Sequence, residues 1–359
     1  MSQLKPVIVL VLLVLCVCTA ASAPLLIKIN KGVASTALYT APLSAGRPLV
    51  LDLSAPAITT PCSSGTTTTV TLSASTTNGA NPLSPVSFAA TATCAAAPSH
   101  YGRMSGAAGV AGLGRSSASF PAQVASTQKV ANSFALCLPS DGRTGFSGNG
   151  VGAAIFGGGP FYLAPPADRE AITTLLSDPV PLRQPFSGYP GYFVTATGGI
   201  AIDGSVAAAG PLVVGLSTTV TYTQLRADVY SRFIATFDRS LGQTAKVAAV
   251  APFELCYNSS KLGSSLLGYS VPQVDVLLEG GTNLTVFGGN SMAQVNANTA
   301  CFAFLKSSGS TTGPPVLIGG FQLENRLVAI HNAKQQLSFT GYLPARGFSC
   351  SNFNFTRAG

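Results

Sequence analysis

The sequence predicts an all-β protein built as two similar lobes with a few short helices, and three observations carry that prediction. The string Pro48-Leu49-Val50-Leu51-Asp52-Leu53-Ser54 returns as Pro211-Leu212-Val213-Val214-Gly215-Leu216-Ser217, an internal echo that suggests two halves on one plan. Charged residues make up only 9% of the 359, while Gly, Ser, Thr, Ala and Pro abound, so the charge patterns of long helices are missing. Short apolar runs, several alternating with polar residues, recur between Gly, Pro and Asn clusters, as strands do between turns. Within the echo one copy carries Asp52 and the other Gly215. Two facing carboxylates would suggest acid–base chemistry; one facing a glycine does not.

The N-terminus sets the compartment. Lys5 precedes an apolar run from Pro6 to Val17 and then the small residues Thr19 to Ala23, which reads as a secretory signal peptide over residues 1–23 with cleavage after Ala21 or Ala23. Its removal takes away Cys16 and Cys18 and leaves Cys62, Cys94, Cys137, Cys256, Cys301 and Cys350. In an oxidising compartment three disulfides are the default, although spacing alone does not choose among the many connectivities. Three sequons, at Asn258, Asn283 and Asn354, agree with export.

From Pro24 to Val50 short strands alternate with turns, and Leu49 to Leu53 forms an apolar strand closed by Asp52. Val70, Leu72 and Ala74 alternate with polar residues, so the stretch from Cys62 to Cys94 reads as a β-hairpin turning at Asn78-Gly79. Gly109 to Gly114 lacks the spacing of a phosphate cradle and is matched in the second half by Val316-Leu317-Ile318-Gly319-Gly320. Pro121 opens a short helix, Phe134 to Leu138 is a strand, and the glycines of 145–159 end the first lobe. The lobes are assigned to residues 24–175 and 190–359, with a Pro-rich crossing over 165–190. Tyr192 to Ala196 and Ile200 to Ile202 read as paired strands. Leu225 to Leu241 is the best helix, with Val229, Phe233 and Phe237 on one face. Leu327 to Ile330 and Gln336 to Phe339 flank a turn, and the tail beyond Tyr342 is anchored by Cys350.

Composition excludes several functions. The formal charge is +8, but Lys and Arg are scattered singly, which argues against nucleic acid as a partner. No CxxC or His/Cys cluster is present, so no metal site and no cofactor is expected. Nothing beyond the leader is long and apolar enough to suggest a membrane partner, and a monomer is expected.

Taken together, Leu49-Val50-Leu51-Asp52, Gly109-Val110-Ala111-Gly112-Leu113 with Pro121-Ala122-Gln123-Val124-Ala125, and Lys129 to Pro139 resemble one family. So do Ala154 to Pro160, Val250 to Tyr257, Leu266 to Pro272 and Val316 to Gln322. These segments, in this order, resemble pepsin-like aspartic proteinases, and within them the plant TAXI-type xylanase inhibitors with their endoglucanase-inhibitor and basic-globulin relatives. The resemblance implies a bilobal pepsin-like fold, with Asp52-Leu53-Ser54 and Gly215-Leu216-Ser217 at the positions where active members carry Asp-Thr/Ser-Gly. Peptide hydrolysis there needs two carboxylates sharing a proton, so Gly215 implies a chain that does not cut and leaves Asp52 and Gly215 as vestigial positions. Leu53 and Leu216 replace the small hydroxyl residue, so the hydrogen bonds that orient the carboxylates are expected to be missing. The cysteine-rich loop after Asp52 is largely gone, a shortened first lobe. The family's framework implies the pairs Cys137–Cys350 and Cys256–Cys301, with Cys62–Cys94 remaining.

The resemblance further implies a secreted inhibitor of microbial cell-wall-degrading glycoside hydrolases, foremost family 11 endo-1,4-β-xylanases, acting in plant defence in the apoplast or cell wall. Contact elements of the family are a Leu in the segment matched by Leu266 and a His in the loop before the last Cys. Here Leu343 to Cys350 carries no His and is one residue longer, so Arg346, flanked by Ala345 and Phe348, is expected to reach the target's paired carboxylates. The alternatives are a non-inhibitory apoplastic or storage-type binding protein and, against Gly215, an active aspartic proteinase. His100 and His331 lie elsewhere and read as structural or solvent-facing.

Overall fold

The structure is a computed structural model that describes residues 22–32, 38–44, 47–63, 65–95, 106–141, 148–164, 170–242, 245–308 and 313–357. The leader, His100 and part of the Pro-rich crossing (165–169) lie outside these residues.

The first half contains β1 (Leu25–Lys31), β2 (Tyr39–Ser44), β3 (Arg47–Asp52), β4 (Ile58–Thr60), β5 (Thr67–Thr77), β6 (Pro82–Cys94), β7 (Gly109–Gly112), α1 (Phe120–Gln128), β8 (Ser133–Cys137), β9 (Val151–Phe156) and the short β10 (Val180–Pro181). The run β1-β2-β3-β7-β4-β6-β5 closes on itself because β1 also pairs with β5, which removes the free edges of that part of the sheet. The chain passes from Asp52 through a five-residue turn straight into β4, so no inserted loop follows the first echo copy. The hairpin read from the sequence is β5–β6, and Gly79 is required at its turn: φ is +92° and a Cβ would strike the Pro160 carbonyl oxygen at 2.2 Å.

The second half contains β11 (Phe193–Ala196), β12 (Gly199–Ile202), β13 (Ser205–Ala208), β14 (Leu212–Leu216), β15 (Thr223–Leu225), α2 (Ala227–Leu241), β16 (Lys246–Val247), β17 (Cys256–Asn258), β18 (Ser264–Ser265), β19 (Gly268–Tyr269), β20 (Val274–Leu277) and β21 (Asn283–Val286). It continues through α3 (Gly288–Ser291), β22 (Met292–Asn296), β23 (Thr299–Phe302), β24 (Phe304–Lys306), β25 (Val316–Ile318), α4 (Gly320–Leu323), β26 (Leu327–His331) and β27 (Gln336–Phe339). The hydrophobic face of α2 buries Val229, Tyr230, Phe233 and Phe237, and Phe233 and Phe237 stack on Phe302. The helix begins at Ala227 rather than Leu225 because Leu225 completes β15, paired with both β24 and β25.

Two pairings depart from the sequence reading. β11 and β12 follow one another but do not pair; β11 lies beside β14, while β12 lies between β13 and β20. The Gly198-Gly199 corner sends the chain from one sheet to the next, and Gly199, at φ +78°, packs too close to the Ala208 carbonyl to admit a side chain. The hairpin β26–β27 leaves its own half and docks on β8, so a sheet of strands from both halves joins the lobes. The echo itself emerges as parallel pairs. β3 runs beside β7 with Asp52 opposite Gly112, and β14 beside β25 with Gly215 opposite Leu317.

Three disulfides join Cys62 to Cys94, Cys137 to Cys350 and Cys256 to Cys301. The second closes a loop of sequence separation 213 and ties the tail to β8, a constraint on the unfolded chain worth roughly 5 kcal/mol in a simple chain-entropy treatment.

Candidate functional site

Two places concentrate the chemistry anticipated from the sequence: the paired strand ends, and a groove on the second half. At the first strand end Asp52 is 2% exposed, and its Oδ1 accepts from both the N–H and the O–H of Ser54, each at 2.7 Å. At the second, the structure corrects the sequence reading: Leu216 lies opposite Ile318, so Ser217 rather than Gly215 falls level with Gly319 as Asp52 does with Gly112. Ser217 Oγ accepts from the Thr219 N–H at 3.2 Å as Asp52 Oδ1 accepts from Ser54. Gly215 lies two residues earlier in β14, where a Cβ would lie 3.1 Å from Leu317 Cδ1 and 3.1 Å from Phe193 Cε1. Neither Gly215 nor Ser217 brings a second carboxylate to face Asp52.

The hydrogen bonds between the two turns survive in part, contrary to the expectation from Leu53 and Leu216. Thr218 donates its hydroxyl to the Leu51 carbonyl at 2.7 Å and accepts from the Leu53 N–H at 3.2 Å. It follows Ser217 as Leu53 follows Asp52, and Leu53 has no hydroxyl to reciprocate. The clamp is therefore one-sided. Beside it lies a buried polar cluster that the sequence did not announce. Lys31 Nζ meets Glu324 at 2.8 Å and Asp141 at 3.4 Å, and the Tyr39 hydroxyl donates to Glu324 at 2.6 Å. Burial outweighs the attraction of Lys31 and pushes the Glu324 carboxyl up to about 7.

The groove is built from glycine contacts and one 3₁₀ turn. β18 and β19 form a tight hairpin with Leu266 and Leu267 at its tip, and Leu266 is 65% exposed. The hairpin is pinned because Gly268 packs on the backbone of Gly288 and Gly289, and the Gly289 N–H donates to the Leu267 carbonyl at 2.7 Å. Opposite stands the turn Leu343–Arg346, closed by Gly347 at φ 78°. Leu267, Phe287, Tyr342, Ala345 and Arg346 line a common cavity of about 380 Å³. Ala345 and Arg346 are exposed, and Arg346 has no hydrogen-bond or ion-pair partner among the described residues. Arg326, wholly buried, donates to the carbonyls of Thr340, a lining residue, and Thr285; burial lowers its guanidinium to about 10, still charged near neutrality. No acidic side chain lines this cavity, so it favours an anionic visitor.

Of the residues singled out for contact, the structure brings Ala345 and Arg346 to a common cavity with Leu267, the neighbour of Leu266. Phe348 does not belong with them. It is 9% exposed and packs with Leu343, Cys137 and Cys350, where it supports the loop from beneath, because the adjoining disulfide draws it inward. Asn283 and Asn354 are exposed, whereas Asn258 is half-buried and its Oδ1 accepts from the Ser260 N–H and O–H. His331 is half-buried, and its Nδ1 accepts from the Lys334 N–H at 3.3 Å. Among the described residues no group of three His, Cys, Asp or Glu side chains could hold a metal, and no helix is long and apolar enough to cross a membrane.

Two β-rich halves, each ending a central apolar strand in the same parallel pair, define a bilobal protein of the pepsin-like architecture. The chain belongs to the xylanase inhibitor family: the model of the family's N-terminal domain matches residues 39–158, and that of its C-terminal domain matches residues 196–341. A rice (Oryza sativa subsp. japonica) protein named Chitinase CLP is 42% identical over 400 aligned residues, covering 93% of this chain and 92% of that protein. The Probable aspartic proteinase GIP2 of Nicotiana benthamiana is 31% identical across 71% of this chain and 60% of its own length. The fold is that of the crystal structure of edgp (TM-score 0.81, 24% identity, covering 94% of this chain and 99% of that one). Soybean basic 7S globulin is similar, with a TM-score of 0.75 at 22% identity, over 93% of this chain and 100% of that one.

Proposed function

We propose that this chain is a secreted, catalytically inactive aspartic-proteinase homologue that inhibits microbial cell-wall-degrading glycoside hydrolases, foremost family 11 xylanases, outside the plant cell. The observation that carries the reading is the groove in which the Leu266–Leu267 tip and Arg346 stand at one positively biased cavity. A xylanase active site holds a pair of carboxylates. An exposed guanidinium on a short, disulfide-backed turn is a bidentate partner for them, and its charge persists at any working pH. The hairpin, fixed by its glycine contacts, offers Leu266 as an apolar anchor with little ordering cost on binding. Ser217, which brings no second carboxylate to the position matching Asp52, supports the absence of peptide hydrolysis. The leader, the exposed sequons Asn283 and Asn354 and the three disulfides support export, and we propose that the chain acts as a monomer.

The name of the rice relative raises glycoside cleavage as a second reading. Cleavage needs two flanking carboxylates, and neither this groove nor the larger cavity lined by Arg115 and Asn332 includes an acidic side chain, which favours inhibition over hydrolysis. Titration of a panel of family 11 xylanases with wild type, Leu266→Ala and Arg346→Ala tests the proposal. Each substitution is expected to weaken inhibition at least roughly tenfold. Unchanged inhibition in Arg346→Ala would remove the role given to that residue, and no slowing by excess wild-type protein would leave a non-inhibitory binding protein.

A further inference from the structure

We infer that a second cavity, separate from the groove above, is a binding site for a neutral, hydroxyl-rich oligosaccharide. It has a volume of about 560 Å³, within the roughly 300–1,000 Å³ of small-ligand sites. Three segments meet there: the loop and helix from Arg115 to Asn132, the crossing at Gln184, and the β26–β27 turn from Asn332 to Gln335. Its lining is almost entirely amides and hydroxyls with a single guanidinium; the only apolar members are two alanines, and none is acidic.

These polar groups hold one another in place. Asn332 Oδ1 accepts from the Tyr192 hydroxyl at 3.0 Å, and Asn332 Nδ2 donates to Asn132 Oδ1 at 3.0 Å. Arg115 donates to the Arg183 carbonyl at 2.8 Å and to the Gln335 side-chain oxygen. Gln335 donates in turn to the Asn332 carbonyl. The network leaves capacity facing outward. Asn132 Nδ2, Gln184 Oε1 and the Ser117 hydroxyl have no intramolecular partner among the described residues, which supplies donors and acceptors side by side. A sugar hydroxyl donates and accepts at once and fits such a mixed wall, already ordered before binding. A peptide would need apolar subsites, which this lining lacks. A phosphate would need more than one guanidinium already committed to two protein acceptors.

An aromatic group borders the same place. Tyr189 is 62% exposed and is the single aromatic among the four exposed large hydrophobic residues of the described chain. Its carbonyl accepts from Gln184 Nε2 at 3.2 Å, the neighbouring Pro190 carbonyl accepts from the Arg115 N–H at 2.6 Å, and its ring meets Phe186 edge-on. An amphipathic ring beside an amide-lined hollow is suited to a pyranose, whose C–H face is apolar and whose rim is polar.

The mature full-length protein should be titrated with xylohexaose, cellohexaose and chitohexaose by calorimetry, alongside Gln184→Ala and Tyr189→Ala. The expected result is saturable binding of at least one hexasaccharide, weakened roughly tenfold or more by each substitution, with unchanged melting temperature. No binding of any of the three at about 5 mM, or binding equal in wild type and both variants, would overturn the inference. The two cavities share no lining residue, so Arg346→Ala is expected to retain sugar binding, and Tyr189→Ala to retain xylanase inhibition, whichever proposal fails.

Discussion

In the first half, β3 runs parallel to β7 and ends at Asp52, whose carboxylate is engaged by Ser54; in the second, β14 runs parallel to β25 and leads to Ser217, whose hydroxyl oxygen accepts from the Thr219 N–H. The backbone plan is the same and the side-chain chemistry is not. What the pair teaches is that a strand-end turn of this kind is specified by parallel pairing and by contact between the halves. The frame accommodates a hydroxyl, Ser217, where the matching turn has a carboxylate, Asp52. A hydroxyl at residue 217 avoids the repulsion that two near carboxylates would meet.

The largest effect is expected from a side chain added inside β14, two residues before its turn. Gly215→Asp forces a side chain against Phe193 and Leu317 and places an unpartnered carboxyl among them, so a loss of roughly 2–5 kcal/mol in stability is expected, with no gain of peptide hydrolysis at acid pH. Denaturant unfolding and a casein assay read both effects. A variant as stable as wild type would mean that the space beside Gly215 is open rather than filled.

Each half also covers the glycine-ended strand of the other with a tyrosine, and the partners differ. Tyr192 donates to the Leu113 carbonyl and to Asn332, which are neutral; Tyr39, packed on Gly320, donates to Glu324, which titrates. The charged or titratable groups facing Glu324 are Lys31, Tyr39, Asp141 and Tyr342. With its folded value raised to about 7 from 4.5, Glu324 holds a proton in the folded chain that the unfolded chain has already released. Its contribution is fully present below about pH 4.5 and is lost as pH rises through 7, on the order of 3 kcal/mol at most. Melting temperatures between about pH 4 and 8 are expected to fall with rising pH in wild type and to fall less steeply in Glu324→Gln. Parallel slopes would dismiss Glu324 as the sensor; Asn332→Asp would then ask whether a titratable partner for Tyr192 creates the same slope.

How much of this was legible in the sequence follows from how local each feature is. The echo, the β5–β6 hairpin and α2 were readable because period, turn residues and apolar faces lie within a few residues of one another. Alternation identifies a strand but not its neighbour, so the separation of β11 from β12 and the docking of β26–β27 on β8 were not readable. Thr218 was hidden because its acceptor, Leu51, is 167 positions away, and the Lys31–Glu324–Tyr39 cluster for the same reason. Leu266 and Arg346 were chosen through resemblance; that Leu267 and Arg346 line one cavity is a property of the fold. Phe348 was misread because a hydrophobic residue beside a cysteine looks the same in sequence whether it faces in or out.

The smallest effects sharpen the comparison most, because they separate the two turns residue by residue. Thr218→Val leaves the Leu51 carbonyl and the Leu53 N–H without their partner and is expected to cost about 1–3 kcal/mol, whereas Ala55→Thr, two residues beyond the matching Leu53, should lie within about 0.5 kcal/mol of wild type. The two serines divide likewise. Ser217 is buried and its hydroxyl oxygen accepts from the N–H groups of Thr219 and Val220, at 3.2 and 3.1 Å, so it holds the turn that presents Thr218. Ser54 is exposed, and the Asp52 carboxylate it serves keeps the backbone N–H of residue 54 after the hydroxyl is removed. Ser217→Ala should therefore cost about 1–2 kcal/mol and Ser54→Ala under about 0.5 kcal/mol by denaturant unfolding. Equal losses would mean that the two hydroxyls weigh alike in holding their turns. The reverse order would put the Asp52 carboxylate, rather than the Thr218 clamp, at the centre of what holds the halves together.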